Sequence, residues 1–219
     1  MTLKLDPDLL LSAYAAGVFP MADSADDPDV FWVEPRARGV LPLGRFHLPR
    51  SLARTLKRET FEHKVDTAFD EVVAACAERA EGTWINAQIR TGYGALHRRG
   101  DAHSVECWQD GQLVGGLYGV RLHGGFFGES MFTRVTDASK AALAHLVARL
   151  RHGGFHLLDT QFLTDHLARF GTVEIPRDLY QQHLARAMAE RNADFGYLTT
   201  MVSGPVSGHS ILQALTQTS

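Results

Sequence analysis

The chain has 219 residues, 45% hydrophobic and 21% charged, with a formal net charge of -3. That supplies one substantial core, or one domain plus a small appendage, and excludes global disorder. No apolar run approaches the roughly 20 residues a membrane helix needs, and Cys76 and Cys107, outside any C-x-x-C pair, suit a reducing cytosol better than a disulfide scaffold. Leu9–Val18 has the length of a short signal-peptide core. However, Asp6 and Asp8 precede it and only Lys4 is basic, so the chain reads as cytoplasmic.

Asp6-Pro7-Asp8 opens a helix to about Ala16, closed by Gly17. Residues 18–35 read as loop, and Gly39–Leu43 as a short strand. Ser51 caps a helix over 52–58. Seven basic residues fall between Glu34 and Glu59 with no acid among them: Arg36, Arg38, Arg45, Arg50, Arg54, Lys57 and Arg58. Such a run is either a solvated face or a surface for a phosphate backbone. Lys64–Thr67 reads as a strand, Asp70–Ala80 as an amphipathic helix and Ile89–Arg99 as a helix stopped by Gly100. Strands follow at about 103–109, 112–121 and 125–133, with Asp110-Gly111 as a two-residue hairpin turn and a second turn at His123-Gly124-Gly125. A helix over 137–151, a strand over 156–161, a short helix over 164–170 and a long helix from Pro176 to about Asn192 complete the pattern. The tail after Thr200 shows none.

This order predicts an α+β domain with a mixed, largely antiparallel sheet flanked by helices. A meander followed by a helix and a further strand is similar to the N-acetyltransferase fold, in which the strands either side of the central helix splay to open a cleft. The splayed pair would be 125–133 and 156–161. Acetyltransferases hold the coenzyme A pyrophosphate in a Gly-rich loop at that helix's start. Residues 133–140 contain no glycine and carry Asp137 there.

Two places put polar chemistry into apolar runs. Glu129 lies among Phe126, Phe127, Met131 and Phe132, where a charge is costly unless paired or useful. An apolar pocket with one acid suits a ligand with an apolar body and a cationic amine. In Leu157-Leu158-Asp159-Thr160-Gln161, alternation puts Asp159 and Gln161 on one face, able to meet the same ligand. Asp159 either accepts a proton, holds an ammonium, or merely bonds a neighbouring loop at the strand end. Trp84, at the turn before a helix, is a core lid or a platform for a base. The histidines form no metal-ligand spacing, since His152 and His156 straddle Gly153-Gly154. Ser130 lacks the second glycine of a nucleophile elbow.

An ordered set of motifs spans residues 6–195: Ala16-Gly17-Val18-Phe19-Pro20, Glu81-Gly82-Thr83-Trp84-Ile85 and Val114-Gly115-Gly116-Leu117-Tyr118-Gly119. Gly128-Glu129-Ser130-Met131-Phe132, Ala138-Ser139-Lys140, Leu158-Asp159-Thr160-Gln161 and Glu174-Ile175-Pro176-Arg177 follow. Together they resemble the leucyl/phenylalanyl-tRNA–protein transferase family. The resemblance implies transfer of Leu or Phe, and sometimes Met, from Leu-tRNA or Phe-tRNA to the N-terminal Arg or Lys of proteins, marking them for degradation (the N-degron pathway). It implies no cofactor, no metal and no membrane.

By that resemblance, Asp159, Gln161 and Glu129 are the catalytic group. Either Asp159 polarises Gln161, which draws the amine proton, or Asp159 orients the acceptor while the ribose hydroxyl shuttles the proton. Glu129 holds an amino group. Leu117, Phe126, Ser130, Met131, Leu143, Leu146 and Leu158 line the amino-acid pocket. Trp84 and Met21 meet the terminal adenosine, and Arg50, Arg54, Lys57 and Arg58 bind the acceptor stem. The implied organisation is a small, truncated N-terminal domain (1–35), an acetyltransferase-like catalytic domain (36–195) and a tail (196–219). Met21 departs from a common Trp, and Thr164 from a common Asn. A coenzyme A acetyltransferase and a non-catalytic tRNA- or N-degron-binding module are the alternatives.

Overall fold

The computed structural model describes residues 5–202 and 204–216. Lys4 and the outer ends of the expected N-terminal domain and tail lie outside the described residues.

Helix α1 (Pro7–Ala16) begins where the Asp6 carboxylate accepts the Asp8 N–H at 2.8 Å, and ends at Gly17 in the left-handed region (φ 86°). Residues expected as loop hold a two-stranded ribbon, β1 (Phe19–Met21) and β2 (Phe31–Val33), antiparallel. Three-residue strands are too short to print a period of two. Then come β3 (Ala37–Val40), a 3-10 turn at Leu43–Arg45 and α2 (Arg50–Lys57). Ser51 does not cap α2. The chain enters from Pro49, and Ser51 already lies inside the first turn.

After β4 (Glu62–Val65), α3 (Phe69–Ala77) and α4 (Ala87–Arg99, capped by Asn86) comes the meander β5 (Ala102–Gln109), β6 (Gln112–Leu122) and β7 (Gly125–Thr133). Its first turn carries positive φ at both Asp110 (51°) and Gly111 (73°), as a tight hairpin requires. Helix α5 (Ala138–His152), β8 (Leu157–Gln161), α6 (Asp165–Ala168), β9 (Val173–Pro176) and α7 (Arg177–Ala189) follow. The segment expected to be patternless forms α8 (Tyr197–Met201) and α9 (Gly208–Thr216).

The main sheet runs β4-β5-β6-β7-β8-β3-β9, antiparallel throughout except for the parallel pair β7–β8. This is the α+β architecture the sequence predicts. Alternation divides the strands between two cores. Leu117, Phe126 and Leu158 face the buried helix α5, while Tyr118, Phe127 and Leu157 face α1, α3, α4 and α7. Contacts cross the boundary expected at residue 35, because α1 places Tyr14 wholly inside the second core.

Strands β7 and β8 pair only from Gly125↔Leu157 to Phe127↔Asp159. Beyond that, β7 stays with β6 and β8 follows β3, where Gly39 pairs with Gln161. A Cβ at Gly39 would lie 2.7 Å from the Phe162 backbone, so only glycine lets β3 come this close. The sheet therefore splits at its centre.

Candidate active site

The split opens a cavity of about 420 Å³. Leu117, Met131, Leu143, Leu146 and Leu158 form its apolar wall, as expected, and α6 adds Leu167. Trp84 lines the cavity while also packing on the second core. Ser130 lines it too, its hydroxyl accepting the Arg79 guanidinium at 2.7 Å. Thr164 faces the cavity and caps α6, accepting the Leu167 N–H at 3.2 Å.

Glu129 and Gln161 are the polar pair of the cleft. The Gln161 side-chain amide donates to Glu129 Oε1 at 2.8 Å. Tyr14 donates to the same oxygen at 2.7 Å, and Tyr93 to Oε2 at 2.8 Å. Both tyrosines are fully buried. Burial raises the Glu129 carboxyl, and the tyrosine donors and Arg38 offset this only in part, leaving it at about 7. The group is thus poised to exchange a proton near neutrality. Sequence reading missed Tyr14 and Tyr93. Each is an ordinary core aromatic locally, and Tyr14 meets Glu129 from 115 residues away. The one usable signal was that a carboxylate this deep needs donors.

Four expected assignments differ from the structure. Asp159 is fully buried and does not line the cavity. Arg38 forks onto it, Nε to Oδ1 at 3.0 Å and Nη2 to Oδ2 at 2.7 Å. Tyr180 donates to Oδ2 at 2.7 Å and the Gln161 N–H to Oδ1 at 2.8 Å. With both oxygens taken, Asp159 has no lone pair for an amine. Gln161 turns away from it because its φ of 60° breaks the strand alternation.

Arg38 is in turn not part of the basic surface, being 2% exposed. Burial opposes its charge, but the Asp159 carboxylate outweighs this and holds the guanidinium above its ordinary range. Phe126 lies behind the cavity wall, stacked on Phe195 with ring centres 5.5 Å apart. Met21 packs against the second core and does not line the cavity.

Arg50, Arg54, Lys57 and Arg58 are all exposed on α2 or its C-terminal edge, while Leu52 and Leu56 anchor the helix below. The N-terminus of α5 is occupied by Asp137, whose carboxylate bonds Lys140 at 2.7 Å and Thr55 at 3.2 Å.

The site is thus a sheet split at its centre, with a buried carboxylate beside an apolar pocket. The sequence comparisons are more specific. The family model described as leucyl/phenylalanyl-tRNA protein transferase matches residues 40–185, and the model of that family's N-terminal domain matches residues 4–36. The leucyl/phenylalanyl-tRNA–protein transferase of Rhizorhabdus wittichii is 53% identical, covering 98% of this chain and 99% of its own length. That of Ruegeria pomeroyi is 55% identical, covering 99% and 100%. A solved structure of L-PGS from Bacillus licheniformis overlays with a TM-score of 0.39 at 13% identity, over 71% of this chain and 53% of that one. The chain belongs to the leucyl/phenylalanyl-tRNA–protein transferase family, whose members are aminoacyltransferases.

Proposed function

We propose that this chain moves Leu or Phe, with Met as a further donor side chain, from aminoacyl-tRNA to the N-terminal Arg or Lys of acceptor proteins, creating an N-degron. The observation that carries the reading is the Glu129–Gln161 pair lining an apolar cavity of about 420 Å³. The cavity takes the side chain being transferred. It discriminates by fit alone, at roughly 1–3 kcal/mol per methylene.

The ester is already activated, so neither a covalent intermediate nor a cofactor is required. The acceptor nitrogen attacks the ester carbonyl carbon, the carbonyl electrons move onto oxygen, and their return expels the ribose hydroxyl. Glu129, titrating at about 7, receives the proton lost by the amine, and the departing ribose oxygen takes it up. The Gln161 amide has a second hydrogen that bonds no described residue, and it donates that hydrogen to the oxyanion. Asp159 acts behind these two rather than as the base.

Trp84 stacks the terminal adenosine, and Arg50, Arg54, Lys57 and Arg58 hold the acceptor stem through its phosphates. The chain then divides as a small N-terminal segment to residue 35, a catalytic unit to residue 195 and a helical C-terminal segment that supports it. Among the described residues no helix is long and apolar enough to cross a membrane. Action in the cytoplasm, where charged tRNA is found, completes the reading.

The test is incubation with labelled Phe-tRNA and a protein bearing N-terminal Arg. Label is expected on that N-terminus. No transfer from either Phe-tRNA or Leu-tRNA overturns the reading.

A further inference from the structure

We infer that Arg38 is a positioning residue for the transfer step, acting through Asp159 to hold Gln161 in the left-handed turn that aims its amide at Glu129. The inference rests on the aminoacyl-transfer reading above.

A non-glycine residue at φ 60° persists only where its surroundings over-determine it. At Gln161 the determinant is a hydrogen bond of 2.8 Å from its own N–H back to Asp159 Oδ1. That carboxylate is fixed in turn. The Arg38 fork and the Tyr180 hydroxyl fill its remaining acceptor sites. Arg38 is itself fixed on every side. Its Nη1 donates to the Gly17 carbonyl at 2.8 Å, and its guanidinium lies 4.6 Å from the centres of both the Phe19 and the Tyr180 rings.

Stability alone does not account for this arrangement. A buried ion pair is commonly matched or bettered by apolar residues of similar volume. What an apolar pair cannot do is direct the Gln161 N–H. A planar fork that meets both carboxylate oxygens leaves Asp159 one orientation, and that orientation presents Oδ1 to Gln161. The chain of contacts from Arg38 to Gln161 ends on the catalytic carboxylate, because the Gln161 amide bonds Glu129 Oε1.

The test is Arg38→Lys, which keeps the charge but cannot reach both carboxylate oxygens and Gly17 at once. A displaced Gln161 amide is expected to cost kcat about 30-fold or more while KM for Phe-tRNA stays within about twofold. Tyr180→Phe, which removes one hydroxyl and keeps the ring, is expected to lower kcat by about threefold to tenfold, again with KM unchanged. A purely structural role would reduce active protein irrespective of Gln161, so the decisive readout is a cycle with Gln161→Ala. Once the amide is absent, Arg38→Lys is expected to cost less than about threefold. Full kcat in Arg38→Lys, a raised KM at unchanged kcat, or losses that simply multiply in the double variant would each overturn the inference. Should Arg38→Lys fail to fold, Tyr180→Phe enters the same cycle, where non-multiplying losses support the inference and multiplying losses overturn it. An unaltered chain that transfers from neither Phe-tRNA nor Leu-tRNA refutes the function itself. Normal transfer with an unaffected Arg38→Lys refutes only the positioning role.

Discussion

At Glu129 burial and the two tyrosine donors oppose one another, and burial prevails, which has two separate consequences. The first concerns rate. The carboxylate titrates at about 7, so single-turnover transfer is expected to rise with pH through that value and then level off. Glu129→Gln keeps the shape, and it is expected to lower kcat by about 10²–10⁴-fold and to abolish this limb. The second concerns stability, and its sign is the reverse of that for a salt-bridged carboxylate. A folded-state value raised from 4.5 to about 7 means that the native protein binds the proton more tightly than the unfolded chain. The contribution is complete below 4.5 and is lost as pH rises through 7. Glu129→Gln is therefore expected to melt higher relative to the parent at pH 8 than at pH 5. Equal differences at both pH values would contradict the assignment. Glu129 and Gln161 were legible in the sequence because each interrupts an apolar run. Their partners were not. Tyr14, Tyr93 and Arg38 look locally like core aromatics and one more member of a basic stretch, and only the pairing of distant segments gives them a role.

Among the elements, α2 separates two functions by face. Leu52 and Leu56 hold it to the core, and its basic side chains remain exposed. Charge reversal at Arg54 and Lys57 is expected to raise KM for tRNA and to reduce the salt slope by about one for each phosphate no longer neutralised. A salt slope equal to the parent's would put the tRNA elsewhere. This helix was read over 52–58 from a Ser51 cap that the structure does not use, since the helix already begins at Arg50. The ribbon β1–β2 was not, since three residues carry too little period to distinguish from loop, and β9 was hidden because it runs directly into α7, whose start was read at Pro176. Nor was α9. Its N-terminal N–H groups at Gly208 and His209 are capped by Glu59, 2.7 and 2.9 Å away but 149 and 150 residues earlier in the chain. The local signal is Ser207, whose hydroxyl accepts the Ser210 N–H at 3.1 Å, and it went unread because it sits in a stretch rich in Ser, Thr and Gly where caps and turns look alike.

For the whole molecule, the C-terminal segment acts as a brace rather than a tail. Ile211 is fully buried, and α9 rests against both α2 and α5, the elements that carry the proposed tRNA face and the pocket wall. Ile211→Ala is expected to cost about 2–4 kcal/mol, read as a lowered Tm. A Tm equal to the parent's would show that α9 is dispensable to the fold. The turn signals at Asp110-Gly111 and His123-Gly124-Gly125, and the bounds of α5 at Asp137 and Gly153-Gly154, made the central sheet and its covering helix readable. The split was anticipated from the order of elements, which put it between 125–133 and 156–161, and it lies there, between β7 and β8.

Arg38 joins Gly17, near the start of the chain, to Asp159 and Tyr180 near its end. A ribosome releases these groups in order, and domains generally fold as their residues emerge. The nascent chain holds Tyr14 first and Glu129 much later, and it gains the last clamp on Asp159 only when Tyr180 has left the exit tunnel. Until then Asp159 lacks one of its donors, so the fixing of Gln161 is completed late in synthesis, when segments from both ends of the chain have met.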